Sequence, residues 1–287
     1  TPKPSSAASD VYKRQVQPDV YADLVAAARS QNLPIASHVP LMLTADEAGP
    51  LADSMEHLRN IELACASNWQ ELLQQRRKTI REFSEGLGYE LRRGLHSAQR
   101  LPAIAAYDEN RCNEVLDTLQ NTTQVPTLRL NTVFQQQPWT RDDWPVALSR
   151  MPNDVAQQWR SQIDLLKHNN TTPDHRFADW SLFLISRLLE RKVPIAAGTD
   201  TPIGLGIPGY SLHTELELLV VGGMTPTQAL YAATVAPTHF FDNTDQIGQI
   251  KPGMTADLIL LNANPLDDIS NTRNIAAVMT GGTWIRR

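Results

Sequence analysis

Short apolar runs of strand length recur along this chain, separated by stretches of helical periodicity, and three of them end on a side chain able to bind a metal ion. After Asp19, the residues Val20, Leu24, Ala27 and Ala28 fall on one helix face, and the run Leu33-Pro34-Ile35-Ala36 then leads to Ser37-His38. The unit repeats less clearly from Ala52 to His57, and Val125 to Leu128 is a third strand candidate. An amphipathic helix over Ala178 to Arg191 precedes Val193 to Ala197, which runs into Gly198-Thr199-Asp200. Glycine permits a tight turn there, and an acid closes the strand. Strands alternating with helices imply a parallel sheet, open or closed. In a closed (β/α)8 barrel the C-terminal strand ends share one mouth, so His38, His57 and Asp200 converge on one site if the sheet closes. Two imidazoles and a carboxylate suit zinc or a similar divalent ion. Each residue alone has a plainer reading, a hydrogen-bonded strand-end histidine or a turn-forming aspartate, and spacing leaves both readings open.

The stretch from about Asn68 to Leu119 is helix-rich with mixed charges (QQRRKTIREFSE) and reads as a solvated helical face. The tail has another texture. After a helix over Thr225 to Ala236, the segment Ile247 to Arg287 carries strand-like runs at Asp257–Leu261, Ala276–Met279 and Thr283–Ile285, with turns at Lys251-Pro252-Gly253 and Thr280-Gly281-Gly282. A small C-terminal β appendage is expected there.

With 287 residues, 41% hydrophobic and 20% charged, the chain can bury a sizeable core. Its formal charge of −5 provides no basic field for a nucleic acid backbone, so nucleic acid is set aside as a partner. The two cysteines, Cys65 and Cys112, form neither a CxxC pair nor a dense framework; they suggest neither a disulfide scaffold nor a cysteine-bound zinc and fix no compartment. There is no apolar run of about 18 residues to span a membrane. Residues 1–15 (TPKPSSAASDVYKRQ) show no periodicity and read as a disordered or foreign leader.

The blocks SHVP (37–40), SMEHL (54–58), VPTL (125–128), AAGTDTP (196–202), SLHTELELLV (211–220), GGMTPTQALYAAT (222–234) and GQIKPGMTADLILLNANPLDDI (248–269) stand in the order seen in the metal-dependent amidohydrolase superfamily. The chain resembles the subset holding the imidazolonepropionase-like enzymes and the Xaa-Pro or Xaa-Arg dipeptidases. This resemblance implies an α/β fold, a partial (β/α)8 TIM-type barrel of about strands 5 to 8 over residues 16–246, with the β appendage over 247–287. It implies one or two divalent ions, zinc first, with His38 and His57 as the fifth- and sixth-strand ligands. Asp200 matches the eighth-strand aspartate, both ligand and catalytic base. The superfamily also uses a His-x-His pair on its first strand, which this chain lacks, and often a bridging lysine; Lys13 lies in the leader and is a poor match. The first strands are therefore expected to lie outside this chain.

His213 opens the helix after the last barrel strand, where substrate contact and a helix-terminal hydrogen bond are equally open. Thr199 and Thr201 flank the acid and can orient it, although turn formation alone explains them. The GLGIPG stretch (204–209) is a loop over the expected mouth and lacks the strand, lysine and hydroxyl of a phosphate-binding loop. His168 and His175 are expected at the surface, and His96 and His239 as structural or solvated residues. The function implied is hydrolysis of a carbon–nitrogen bond in a small amide, peptide-like or cyclic amide substrate through a metal-activated water. A deaminase of the same superfamily and an inactive fragment or non-catalytic scaffold are the alternatives. An oligomer is possible, and the compartment is left open.

Overall fold

The computed structural model describes residues 16–83, 88–168 and 174–285. The expected leader, with Lys13, lies outside them, as do parts of the QQRRKTIREFSE and HNNTTPDH segments. Two compact units are present. One comprises the residues up to Pro126 together with Arg187–Ala196; the other comprises Thr127–Ser186 and the residues from Ala197 on.

The first unit is built on three parallel strands in the order β1 (Ala36–Ser37), β2 (Ser54–Glu56), β3 (Thr123–Val125). Ser37 pairs with Met55, and Glu56 with Val125. A fourth segment joins at one parallel bridge, Gln124 to Ile195, where the Gln124 and Ala196 amides donate to Pro194 and Gln124 carbonyls at 2.8 and 3.0 Å. All four apolar runs read from the sequence thus lie side by side in chain order. Each differs in extent, the first two being confined to Ala36–Ser37 and Ser54–Glu56. The third strand ends at Val125, because Pro126 has no amide to donate and Thr127 turns left-handed (φ 52) to start a short helix, Leu128–Asn131. Val193 to Ala197 forms a single bridge, not a ladder.

Parallel strands need long crossovers. That between β1 and β2 holds the helix Ala45–Ala48, at whose start the Thr44 amide donates to Glu47 Oε2 at 2.8 Å. The crossover from β2 to β3 holds Ile61–Ala64, Trp69–Glu82, Gly88–Ala105 and Glu109–Thr118, the last capped by Asp108 accepting from the Arg111 amide at 2.8 Å. Leu63, Ala66, Leu72, Leu73 and Ala103 pack where these helices meet.

Two corrections come from this region. Cys65 and Cys112, 47 residues apart, are bonded to each other, a pairing no local spacing could announce. The charged stretch is also not simply a solvated face, because Arg76 is 1% exposed. Its Nε donates to Gln99 Oε1 at 2.7 Å and its Nη1 to Asn60 Oδ1 at 2.8 Å, while Gln99 Nε2 donates to the Leu72 carbonyl. Burial pushes the Arg76 guanidinium down to about 10, opposed by Glu62 and aided by Arg100.

The second unit packs Trp144, Leu148, Trp159 and Ile163 around Leu205 and Ile207. Its helix Pro226–Thr234 begins at a capping box of Thr225 and Gln228, with proline at its first position. The tail forms an antiparallel sheet of β4 (Leu258–Leu261), β5 (Ile275–Thr280) and β6 (Thr283–Ile285), close to the three runs expected. Gly281 and Gly282 (φ 51 and 80) make the tight turn between β5 and β6. Arg273 attaches this tail to the helix Tyr210–Val221 through Glu217 Oε1 at 2.6 Å and Thr214 Oγ1 at 2.8 Å. Among the described residues no helix is long and apolar enough to cross a membrane.

Removing the Arg76 side chain leaves two buried amide oxygens without their donor. Arg76→Leu is therefore expected to destabilise the protein by about 2–5 kcal/mol in denaturant unfolding. The exposed Arg81→Leu on the same helix should stay within about 0.5 kcal/mol.

Candidate functional site

His38 and His57 directly follow β1 and β2, so their parallel pairing brings the two residues to neighbouring strand ends. Their rings stack with centroids 4.8 Å apart and planes inclined by 30°. His57 is buried and His38 half-buried, and the His57 amide donates to the Val125 carbonyl at 2.7 Å. The backbone after β2 is unusual: His57, Leu58 and Asn60 all have left-handed φ values (66, 54 and 65). Such conformations cost roughly 1 kcal/mol or more each for residues other than glycine and persist only where surrounding bonds hold them. Asn60 supplies such bonds. Its Nδ2 donates to the carbonyl of Val39, beside His38, at 3.2 Å, and its Oδ1 accepts from Arg76. Asn60 and Arg76 therefore tie together the two turns that present the histidines. Nothing in their sequence positions marks them for this role, because their partners lie 16 to 23 residues away.

Neutral imidazole nitrogens are good zinc donors, and two of them side by side fit part of such a shell. Among the described residues no group of three or more His, Cys, Asp or Glu side chains is gathered so as to hold a metal ion. The pair thus offers two donors of the roughly four that a closed zinc shell takes.

Asp200 belongs to the second unit, is exposed and is itself left-handed (φ 48). Its turn is held from below by Arg129, which is 6% exposed. Arg129 Nε donates to the Thr199 carbonyl, Nη1 to Gly204 at 3.2 Å, and Nη2 to the carbonyls of Asp200 at 3.3 Å and Ile203. Gly206 makes room for it: a Cβ there would stand 2.6 Å from the guanidinium carbon. Arg129 is fixed in turn by Glu215, whose carboxylate accepts from the Leu128 and Arg129 amides at 2.9 and 2.8 Å, capping the helix Leu128–Asn131. Burial raises the Glu215 carboxyl to about 7, against the lowering pull of those amides and of Arg129. The GLGIPG loop is therefore an anchored turn, with Leu205 and Ile207 in the tryptophan core.

His213 lies in the first turn of Tyr210–Val221, with Nδ1 3.0 Å from Thr272 Oγ1. With that hydroxyl donating to the Ile269 carbonyl, its lone pairs face His213 Nδ1, a pairing that suits the neutral Nδ1–H imidazole. Burial, aided by Arg273, lowers the His213 imidazole below its usual range and favours this neutral form. His213 also lines a cleft of about 800 Å³ with Tyr210, Arg273, Met151, Ile207 and Ile259. Tyr210 donates to Asp143 Oδ1 at 2.6 Å and is pushed up to about 12 by burial and that bond. Thr199 contributes its carbonyl to the Arg129 cradle, and Thr201 is half-buried in the same turn. Of the other histidines, His168 is exposed and His175 half-buried. His96 is buried with Arg59 and Arg100 at 3.5 and 3.4 Å from Nδ1, and burial plus those cations hold it well below its usual range.

Residues 181–285 match the Amidohydrolase family. The chain is 40% identical over 94 residues to ochratoxinase of Aspergillus niger, covering 32% of this chain and 18% of that protein. It is 36% identical over 77 residues to imidazolonepropionase of Geobacillus kaustophilus, covering 26% of this chain and 18% of the other. In three dimensions it is similar to a bottromycin amidohydrolase, with TM-score 0.64 and 21% identity over 93% of this chain and 53% of that one. A Xaa-Pro dipeptidase with bound methionine gives TM-score 0.55 and 19% identity over 94% and 49%. The chain spans about half the length of these solved structures. They share its mixed α/β fold with a parallel sheet.

The raised Glu215 carboxyl means that the folded protein binds this proton more tightly than the unfolded chain does. Stability from this group is thus greatest below about 4.5 and declines as pH rises to about 7. Glu215→Gln should flatten that decline, on the order of 3 kcal/mol, when unfolding midpoints of the two proteins are compared across the window.

Proposed function

We propose that this chain, whose segment 181–285 matches the amidohydrolase family, is part of a metal-dependent hydrolase acting on the carbon–nitrogen bond of a small amide or peptide-like molecule. The observation that carries this reading is the stacked pair His38 and His57 at the ends of adjacent parallel strands. In an α/β sheet, strand C-termini are where ligands and catalytic groups collect. A (β/α)8 barrel, with this sheet as its later strands and the tail as a β appendage, is the architecture that makes use of that address.

In this reading His38 and His57 donate imidazole nitrogens to a divalent ion, zinc first, and Asp200 donates a carboxylate. Further ligands are required from beyond these three. Held there, such an ion would supply Lewis-acid chemistry to the scissile carbonyl and to the attacking water. Asp200 takes the proton from the attacking water and passes it to the departing nitrogen, which leaves as an amine. Its exposed position suits such a shuttle. His213, in the first turn of the helix that follows, is the proposed substrate contact, with Nδ1 facing Thr272. Thr199 and Thr201 shape the turn that carries the acid.

The test is carried out on the complete protein that contains this chain. His38→Ala and His57→Ala should each lower bound zinc, measured by elemental analysis, and abolish turnover of dipeptide and N-acyl amino acid substrates. Asp200→Asn should lower kcat by about 10²–10⁴-fold. Unchanged zinc content and turnover in both histidine variants would exclude the assignment.

A further inference from the structure

We infer that Arg129 is a positioning residue for Asp200, acting through the carbonyl groups of the turn that carries it; this rests on the reading of Asp200 as ligand and base. Three observations point the same way. First, the guanidinium is committed almost entirely to one loop: its bonds run to the carbonyls of Thr199, Asp200, Ile203 and Gly204. The guanidinium also feels the buried Glu215 carboxyl, but its hydrogen bonds gather four oxygens of a single turn. Second, the turn needs holding. Asp200, Gly204 and Leu205 are left-handed (φ 48, 57 and 59), and two of these three are not glycine. Third, the sequence leaves space for the cation: a Cβ on Gly206 would stand 2.6 Å from the guanidinium carbon and 2.7 Å from both Nη1 and Nη2.

The geometry also specifies arginine over lysine. A planar fork with five donors can reach carbonyls on several sides at once, while an ammonium group is a point charge with three donors. Glu215 completes the cradle from behind by capping the amides of Leu128 and Arg129, so the guanidinium is placed by its own backbone as well as by its acceptors. A carboxylate whose backbone is pinned in this way meets a cation, or a water to be deprotonated, with little reorganisation.

The experiment compares Arg129→Lys, Gly206→Ala and Asp200→Asn in the complete protein, using zinc retention against a competing chelator, kcat and KM separately, and the unfolding temperature of the metal-free protein. Arg129→Lys is expected to weaken zinc retention and lower kcat by about ten- to a hundredfold, with KM nearly unchanged. Its metal-free unfolding temperature is expected to fall as well, because a lysine cannot make all four bonds to the turn, so zinc retention and kcat are compared at a temperature where the metal-free variant is folded. Gly206→Ala, which displaces the guanidinium without removing it, should move zinc retention the same way and keeps the positioning role testable even if the lysine variant does not fold. Zinc retention and kcat at the parent level in both variants, with Asp200→Asn impaired, would overturn the positioning role and leave the reading of Asp200 intact. Parent-level zinc retention and kcat in Asp200→Asn would instead overturn that reading, and this inference with it.

Discussion

A buried guanidinium bonded to the backbone or side-chain oxygens of a strained turn is the interaction on which both the histidine pair and the Asp200 turn depend. In the first unit Arg76 holds Asn60, and Asn60 holds the carbonyl beside His38. In the second, Arg129 holds the carbonyls around Asp200 directly. Both arginines are almost fully buried, where desolvation is expensive, and both offset it with several hydrogen bonds to fixed oxygens. Their work is to stabilise turns that a chain of L-residues would otherwise avoid.

That arrangement explains why the strands can be so short. β1 has 2 residues and β2 and β3 have 3 each, too few for ladder bonds to fix the orientation of the residues after them. The strands set only the address of His38 and His57; the direction of the side chains is set by the turns, and the turns by groups on distant helices. The helical crossover from β2 to β3 supplies Arg76 and Gln99, so it is part of the scaffold of the histidine pair and not merely a covering layer.

Electrostatics in the second unit obey the same logic. Glu215 is buried and shifted up to about 7, yet it caps two amides and faces a cation, so its charge is neither idle nor free. Beside it on the same helix, Glu217 joins Arg141 and Arg273, and through Arg273 the tail is fastened to the helix that carries His213. Burial, with the Arg273 and Arg141 cations, lowers the His213 imidazole below its usual range, against the opposing pull of Glu217 and Asp143.

The amino-acid sequence by itself determined the alternation of helices and short strands, their parallel pairing, the strand-like runs of the tail and the placement of His38 and His57 at strand ends. All of these are local: hydrophobic periodicity, glycine and proline placement and polar strand ends act over a few residues. The superfamily resemblance added the chemistry those positions imply. What only the tertiary structure decided is which buried polar groups answer one another. The Cys65–Cys112 bond, the burial of Arg76 inside a charged helix, the helix at Leu128 in place of a strand and the Arg129 cradle all join residues far apart in the chain. The physical reason is that a hydrogen bond or a disulfide depends on distance and direction in space, which no periodicity along the chain encodes.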